Sequence, residues 1–304
     1  MDQPCAECAG ATYREHAALV ASMRKQFWQM IAVRSLVWGD WRFADREADA
    51  AALACGHVQR EVMRTIIADE HTVRYSPSGA YVVRFLKEYI RRIEGVPDHC
   101  LDDELLEHYV AQLASTDTGP GVWRGACYRT YTLDAEQQTR VVLQEEQSMI
   151  SQGTTGLQMW EAGLCLADYV LVNPDIVRAK NVVELGAGCG LAGLVCAAAG
   201  AAQVVLTDFN GAVLQQLEHN RRINQALAAN VRVAELDWAD TEACGHLARD
   251  ADVIIGDETG VLSQTVEGLR SLRPAALCSP DMSADVRLVV VTRRRPHGAG
   301  GAPL

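Results

Sequence analysis

The sequence predicts an α/β fold in which a mostly helical N-terminal domain precedes a Rossmann-like sheet. In the first part of the chain, apolar residues recur at three- and four-residue spacing, which is typical of amphipathic helices. From about residue 150, β-branched and apolar runs alternate with helical patterns, which indicates a parallel sheet covered by helices. A chain of 304 residues is long enough for these two domains.

The first predicted domain spans residues 14–120 and consists of helices. Its last helix, at 101–113, begins with acidic residues that suit a helix N-terminus, and the polar segment 115–120 ends it. A strand connector is predicted over 121–150, with short strands at 127–132 and 140–143. The other helical patterns of this domain lie at 20–36, 62–67 and 81–93.

The second predicted domain spans residues 151–292, and a disordered tail is predicted at 293–304. Ligands of such sheets bind beyond the carboxyl ends of the strands, near the point where the strand order reverses. Helices are predicted at 164–171, 191–199 and 211–224. Strands, expected to pair in parallel, are predicted at 181–185, 203–207, 231–236, 253–255 and 286–291.

Composition indicates a soluble protein with no general affinity for nucleic acid or membranes. The chain has 28 Lys and Arg against 39 Asp and Glu, whereas binding to phosphate backbones requires a clustered basic surface. No apolar run has the length of a membrane helix, and the N-terminus does not read as a signal peptide. We expect a cytoplasmic protein with reduced cysteines, and no metal site, because Cys5 and Cys8 form an isolated C-x-x-C pair.

A glycine-rich loop follows the strand predicted at 181–185 and opens a helix. In the run Glu184 to Gly190, glycines let the backbone turn tightly and approach a ligand. The spacing of Gly188, Gly190 and Gly193 also fits the dinucleotide fingerprint, and Asp208 lies where a carboxylate would accept hydrogen bonds from ribose hydroxyls. This pattern alone leaves NAD and S-adenosylmethionine (SAM) both open.

Two features favour SAM over NAD. Glu184 stands just before the first glycine, where it would repel a pyrophosphate and attract the amino group and sulfonium of SAM. Asp237 and Trp238 close the third strand of the second domain, where they suit an adenine amino group and an adenine ring. Trp238 is alternatively a side chain that caps the core.

The chain resembles the seven-strand (class I) SAM-dependent protein-lysine methyltransferases. The likeness rests on the Glu184–Gly190 loop together with the segments 153–174, 207–208, 220–224 and 236–238. Within that family, the stretches 27–28, 73–92 and 101–113 resemble the helical domain of the enzymes that act on elongation factor 2. The resemblance therefore implies a protein substrate, elongation factor 2, with SAM as the cofactor.

The resemblance also implies a role for each candidate residue. Glu184 and the loop backbone would hold the amino-acid portion of SAM, Asp208 the ribose and Trp238 the adenine. Trp160, at the start of the helix predicted at 164–171, would contact SAM, or is alternatively a core residue. The predicted cofactor-binding set is Trp160, Glu184, Gly186, Ala187, Gly188, Gly190, Asp208, Asp237, Trp238 and Gly256.

The sequence departs from the family in two places. After the fourth strand, relatives carry an Asp followed by a Tyr, whereas this chain has Asp257 and Glu258 without a tyrosine. We expect these two acids to be the catalytic residues that orient the substrate lysine; the alternative is a pair of solvated loop acids. Beyond the fifth strand the two further strands of the family are missing, so the edge of that strand is expected to be open.

Three functions remain from the sequence. The first is a SAM-dependent protein-lysine N-methyltransferase whose helical domain recognises the substrate, because the SAM fold alone selects no protein partner. The second is an NAD-binding oxidoreductase, which the Gly188–Gly193 spacing and Asp208 favour but which lacks a recognisable proton donor at a strand end. The third is an inactive SAM-fold scaffold that binds a partner through its helical half.

Overall fold

The structure is a computed structural model that describes residues 12–39, 50–98, 100–116, 126–146, 154–257 and 288–292. The chain divides between Gln158 and Met159 into two compact units, called here the helical unit and the sheet unit. The predicted tail at 293–304 and the Cys5–Cys8 pair lie outside the described residues. No helix in the described ranges is long and apolar enough to span a membrane.

Helices occupy the region where the sequence predicts them, with two differences. The pattern at 20–36 is α-helical only as far as Trp28, and the pattern at 62–67 forms a π-helical turn. Side chains cap the N-termini of three of these helices: Thr12 forms a capping box with Glu15, Asp69 accepts from the His71 amide, and the Ser78 hydroxyl accepts from the Tyr81 amide. A short 3-10 turn at Val33–Ser35 and a π-helical turn at Met63–Ile67 join them. The helices are α1 Tyr13–Trp28, α2 Ala50–Ala54, α3 Gly56–Val62, α4 Glu70–Arg74, α5 Gly79–Glu94 and α6 Asp103–Thr116.

An aromatic cluster forms the core of the helical unit. The Phe85 ring of α5 lies 4.8 Å from the Phe27 ring of α1 and 5.6 Å from the Trp38 ring. All three side chains are buried. The Tyr89 hydroxyl, also buried, donates to the Leu53 carbonyl at 2.9 Å, which ties α5 to α2. Burial of such large side chains supplies most of the free energy that holds these helices together.

A β-hairpin completes the helical unit. Strand β1, Ala126–Thr132, pairs antiparallel with β2, Arg140–Glu146, from Ala126 opposite Glu146 to Thr132 opposite Arg140. The Asp134 carboxylate closes the turn by accepting from the Gln138 and Thr139 amides. Both predicted strands are therefore confirmed, and the second extends three residues further than the sequence suggests.

The sheet unit contains a five-stranded sheet of order β5-β4-β3-β6-β7. Chain order runs outward from β3 to β5 and then returns to the other side of β3 with β6, so the strand order reverses beside β3. The four strands β3 to β6 are parallel. The strands are β3 Asn181–Leu185, β4 Gln203–Asp208, β5 Val231–Glu235, β6 Val253–Asp257 and β7 Leu288–Thr292.

The prediction that all strands of the sheet are parallel is wrong for the last strand. Strand β7 pairs antiparallel with β6, with Thr292 opposite Val253 and Leu288 opposite Asp257, whereas the sequence predicted parallel pairing throughout. The alternation of strands with helices indicates parallel pairing only where a helical pattern lies between two strands. No such pattern was identified between β6 and the last strand, so the apolar run itself was compatible with either direction.

Helices lie on both faces of the sheet. Alternate residues of a strand point to opposite faces. Gly193 of one helix lies against Leu206, while Leu247 of another packs with Val183 and Val205. The helices are α7 Glu161–Val172, α8 Leu191–Ala198, α9 Gly211–Ile223 and α10 Thr241–Asp250, with a 3-10 turn at Pro174–Ile176.

Helix α10 was not predicted from the sequence. It is a short, mostly polar helix whose N-terminus is capped by Asp240, which accepts from the Glu242 and Ala243 amides. A capping aspartate followed by an acidic first turn was the available signal. The fold class is nevertheless confirmed: an α/β sheet with four parallel strands and one antiparallel edge strand follows a helical N-terminal region.

A half-buried histidine makes the stability of the helical unit pH-dependent. The Nε2 atom of His71 lies 2.8 Å from the Thr130 hydroxyl. Burial, together with the positive charges of Arg140, Arg24 and Arg74, lowers the pKa of His71 from 6.5 to about 4. Between these values the unfolded chain binds a proton that the folded unit excludes, so stability falls as the pH falls.

We predict that the free energy of unfolding decreases as the pH is lowered from about 6.5 to about 4, and that His71→Asn removes part of this decrease. The measurement is urea denaturation of both proteins across that pH range. His246→Asn, at an exposed histidine of α10, serves as the control. An identical pH dependence for wild type and His71→Asn would contradict the assignment.

Candidate functional site

The glycine loop lies at the carboxyl end of β3, beside the point where the strand order reverses. Gly186, Gly188 and Gly190 have φ values of +61°, +52° and +86°, in the left-handed region that favours glycine. Gly190 is the N-cap of α8 and supplies no side chain to cap it. At its three glycines the loop thus presents backbone without side chains in front of a helix N-terminus, as the sequence suggests.

Glu184 lies directly behind the loop. It is 5% exposed, and its Oε2 atom accepts a hydrogen bond of 2.8 Å from the Gly193 amide in the first turn of α8. Its carbonyl accepts from the Thr207 hydroxyl of β4 at 2.6 Å. Burial raises the pKa of the nearby Cys196 thiol well above its usual value, and the Glu184 charge raises it further. Glu184 therefore holds the loop and α8 in place.

Asp208 ends β4 next to the loop. Its Oδ2 atom accepts from the Gly188 amide at 3.3 Å, and its Oδ1 atom accepts from the Phe209 and Asn210 amides at 2.9 and 3.1 Å. The Ala187 amide in turn donates to the Thr207 carbonyl at 2.8 Å. These bonds fix the carboxylate beside the glycines, as expected for a residue that contacts the same ligand as the loop.

Trp238 lies on the other side of the loop. The Leu236 amide donates to the Asp208 carbonyl at 2.9 Å, which brings the end of β5 to the end of β4. A Cβ at Gly186 would lie 3.2 Å from the Cζ2 atom of the Trp238 indole, so that ring packs on the loop backbone. The indole is 39% exposed and presents part of its surface to solvent.

The remaining predicted residues occupy different positions. Asp237 and Trp238 follow β5, which ends at Glu235 rather than including them; the Asp237 side chain is exposed and accepts from the Ala239 amide. Gly256 of β6 is buried and pairs with Leu185 of β3. Trp160 is the N-cap residue of α7 and is 49% exposed.

The two predicted catalytic acids are only partly described. Asp257 is the last residue of β6, which places it at the same sheet edge as the glycine loop. Glu258 lies outside the described residues. The structure therefore brings together Glu184, the loop, Asp208 and Trp238.

Two residues support the loop in a way that sequence reasoning did not predict. Gly193 donates the hydrogen bond to Glu184, and Asn220 of α9, fully buried, donates from Nδ2 to the Cys189 carbonyl at 3.0 Å. The available signal was a polar residue on the inward face of α9, in line with Val213 and Leu217. Phe209, which is 68% exposed beside Asp208, was also missed.

The arrangement suits a nucleoside that carries a cationic group. The loop backbone at Gly186 lies against the Trp238 indole, the Asp208 carboxylate has lone pairs for hydroxyl donors, and the indole offers a partly exposed aromatic surface. The buried Glu184 charge favours a cation and disfavours a pyrophosphate at the loop. Within the described ranges, no group of three or more His, Cys, Asp or Glu residues is placed to hold a metal ion.

Comparisons with known proteins agree with this geometry. A family model described as lysine methyltransferase matches residues 136–295. The protein-lysine N-methyltransferase EEF2KMT of Mus musculus is 29% identical over 293 residues, which cover 92% of this chain and 83% of the relative. The Homo sapiens EEF2KMT is 29% identical over 291 residues, covering 92% and 84% of the two chains. The protein-lysine N-methyltransferase EFM3 of Chaetomium thermophilum is 32% identical over 199 residues, 59% of each chain.

We predict that Gly193→Ala destabilises the sheet unit by about 1–3 kcal/mol, because overpacking a filled site costs that much. The added Cβ would lie 2.6 Å from Oε2 of Glu184 and in contact with Leu206. The measurement is the free energy of unfolding from urea denaturation. Gly211→Ala is the matched control, because a Cβ there meets nothing within 4 Å. Equal stability of the two variants would show that the loop tolerates the methyl group.

Proposed function

We propose that elongation factor 2 is the substrate of this chain, which belongs to the lysine methyltransferase family and is a SAM-dependent protein-lysine N-methyltransferase. The observation that supports this substrate is the length of chain over which the sequence is similar to the EEF2KMT proteins. The family model begins at residue 136, whereas the similarity to the EEF2KMT relatives covers 92% of the chain and so includes the helical unit. Because the SAM fold alone selects no protein partner, that shared helical part supports a shared substrate.

We assign the two steps, substrate recognition and cofactor binding, to the domains predicted from the sequence. We assign substrate recognition to the helical domain at 14–120, with the connector at 121–150, and SAM binding to the domain at 151–292. We place the enzyme in the cytoplasm, where elongation factors act. The oxidoreductase alternative loses its support, because the family match accounts for the glycine loop without NAD.

The cofactor site is proposed at the carboxyl ends of β3, β4 and β5. When bound, SAM supplies an electrophilic methyl group on a sulfonium. The loop backbone and Glu184 would hold the amino-acid portion, Asp208 the ribose hydroxyls, and Trp238 with Asp237 the adenine. Trp160 and Gly256 complete the proposed set. Support comes from the contacts among Glu184, Gly193, Gly188 and Asp208, which hold the loop in one shape.

The chain's own contribution to the reaction is alignment. The substrate lysine must lose its proton before its nitrogen can attack, because the ammonium form has no lone pair. A carboxylate at the carboxyl end of β6 is suited to orient that amine, and Asp257 and Glu258 are the residues proposed for this role. Asp257 lies at the strand end next to Gly256.

The experiment is methylation of purified elongation factor 2 by the full chain with SAM labelled in its methyl group. We expect methyl transfer to a lysine, identified by mass spectrometry of tryptic peptides. We expect Asp208→Asn to weaken S-adenosylhomocysteine binding about tenfold or more, because loss of a hydrogen bond to a charged group costs about 1.5–3 kcal/mol.

The matched control is Asp175→Asn in the same unit. The Asp175 side chain is 85% exposed and pairs with Arg178 at 2.8 Å, so its neutralisation should leave both binding and transfer unchanged. If the chain binds S-adenosylhomocysteine but transfers no methyl group to elongation factor 2, the proposal that elongation factor 2 is the substrate would be contradicted. Unchanged cofactor binding in Asp208→Asn would contradict the site, and partner binding without any transfer would favour the scaffold alternative.

A further inference from the structure

A cluster of cations and aromatic rings on the helical unit has no part in the proposed methyl transfer. It contains Arg24 of α1, Arg74 of α4 and Arg140 of β2, called here the arginine cluster. Arg74 is exposed, and Arg24 and Arg140 are half-buried. In a chain of formal net charge −11, such a concentration of positive charge is unusual.

The cluster is built around a fixed tryptophan. The guanidinium groups of Arg24 and Arg140 lie 5.1 and 4.6 Å from the centroid of the Trp28 ring, within the range of cation–π attraction. Trp28 is 1% exposed, and its indole nitrogen donates to the Thr72 hydroxyl at 2.8 Å. Arg74 lies in the same way over the Tyr75 ring, at 5.3 Å.

Gln137 in the hairpin turn accepts a hydrogen bond from the Nε atom of Arg24 and another from the Nε atom of Arg140. Its Oε1 atom accepts from Nε of Arg24 at 2.9 Å, and its carbonyl accepts from Nε of Arg140 at 2.7 Å. Its Nε2 atom donates to the Ala21 carbonyl at 2.8 Å, which fixes the side chain itself. Both guanidinium groups are thus oriented through Nε, so their terminal nitrogens are not occupied by Gln137.

The charge of the cluster is only partly balanced. In the ranges that the structure describes, no carboxylate forms an ion pair with Arg24, Arg74 or Arg140. Burial and the charge of Arg140 lower the pKa of Arg24, and Asp69 opposes this shift. The same three arginines help to lower the pKa of His71, whose ring lies 4.8 Å from Trp28. Like charges held this close favour an anionic ligand.

We propose that the arginine cluster binds an acidic segment of the protein substrate, with Asp or Glu carboxylates paired to the guanidinium groups. The assignment of that segment to the methylated protein rests on the proposed function. Arginine suits this role because its planar group binds a carboxylate through two parallel hydrogen bonds. Nucleic acid fits less well, since the buried Trp28 ring offers no surface for base stacking and three cations make a small phosphate footprint.

The test is fluorescence anisotropy of a fluorescein-labelled polyglutamate peptide titrated with the full chain, at low and at high salt. We expect salt-sensitive binding. The double variant Arg24→Gln/Arg140→Gln should weaken it about tenfold, because two partly exposed ion pairs together contribute about 1–2 kcal/mol. Arg74→Gln alone, at an exposed residue, should weaken it by a smaller factor.

The matched control is Arg64→Gln/Arg91→Gln, which removes the same charge from the same unit. Both arginines are exposed and pair with neighbouring glutamates, Glu61 and Glu88, at 2.7 Å. This double variant should bind the peptide as the wild type does. If the wild type methylates elongation factor 2, the Arg24→Gln/Arg140→Gln variant should have a higher KM for elongation factor 2 than the wild type, with an unchanged kcat.

The outcomes separate this proposal from the proposed function. Failure of the wild type to bind the peptide, or equal weakening by the control variant, would overturn the acidic-segment proposal whatever the enzyme methylates. Tighter binding of an oligothymidylate probe than of the peptide, lost in the Arg24→Gln/Arg140→Gln variant, would overturn it in favour of nucleic acid. Peptide binding that depends on the cluster, without methylation of elongation factor 2, would support the docking site and contradict only that substrate.

Discussion

The hydrogen bond from the Gly193 amide to the buried Glu184 carboxylate is the constraint on which the site depends. Glu184 belongs to the central strand and Gly193 to the helix behind the loop, so this bond sets the course of the residues between them. A side chain at position 193 would enter the space that the carboxylate occupies. With the loop held there, the Asp208 carboxylate meets the Gly188 amide and the Trp238 indole packs on Gly186. The buried Glu184 carboxylate therefore links the central strand to α8 and fixes the loop on which the proposed cofactor site is built.

We propose that the two units have separate roles, with cofactor binding in the sheet unit and substrate recognition in the helical unit. The sheet unit belongs to a fold that binds a nucleoside cofactor at its strand ends, and the buried Glu184 carboxylate behind its glycine loop suits a cation. The helical unit has a separate aromatic core and, at its arginine cluster, the opposite charge. A substrate that presents a lysine to the sheet unit and acidic residues to the helical unit would be complementary in charge to both units. Such pairing gives specificity that a shared catalytic fold cannot supply.

Much of this could be predicted from the sequence, because the signals were local. Helical periodicity located α1 and α5, and the run from Glu184 to Gly190 located the loop. The resemblance to protein-lysine methyltransferases is confirmed by the family match over residues 136–295. The direction of β7, the buried partner of Glu184 and the gathering of Arg24 and Arg140 around Trp28 depend on contacts between residues far apart in the chain. Periodicity and composition carry no information about such contacts.

The most direct test of the account is a crystal structure of the full chain with S-adenosylhomocysteine. The account predicts density for the ligand over the glycine loop, with its ribose hydroxyls at the Asp208 carboxylate and its adenine against the Trp238 indole. The amino-acid portion should lie at the Gly186–Gly190 backbone in front of Glu184. Density at any other surface, or a loop that closes this space with its own side chains, would contradict the assignment of the cofactor site.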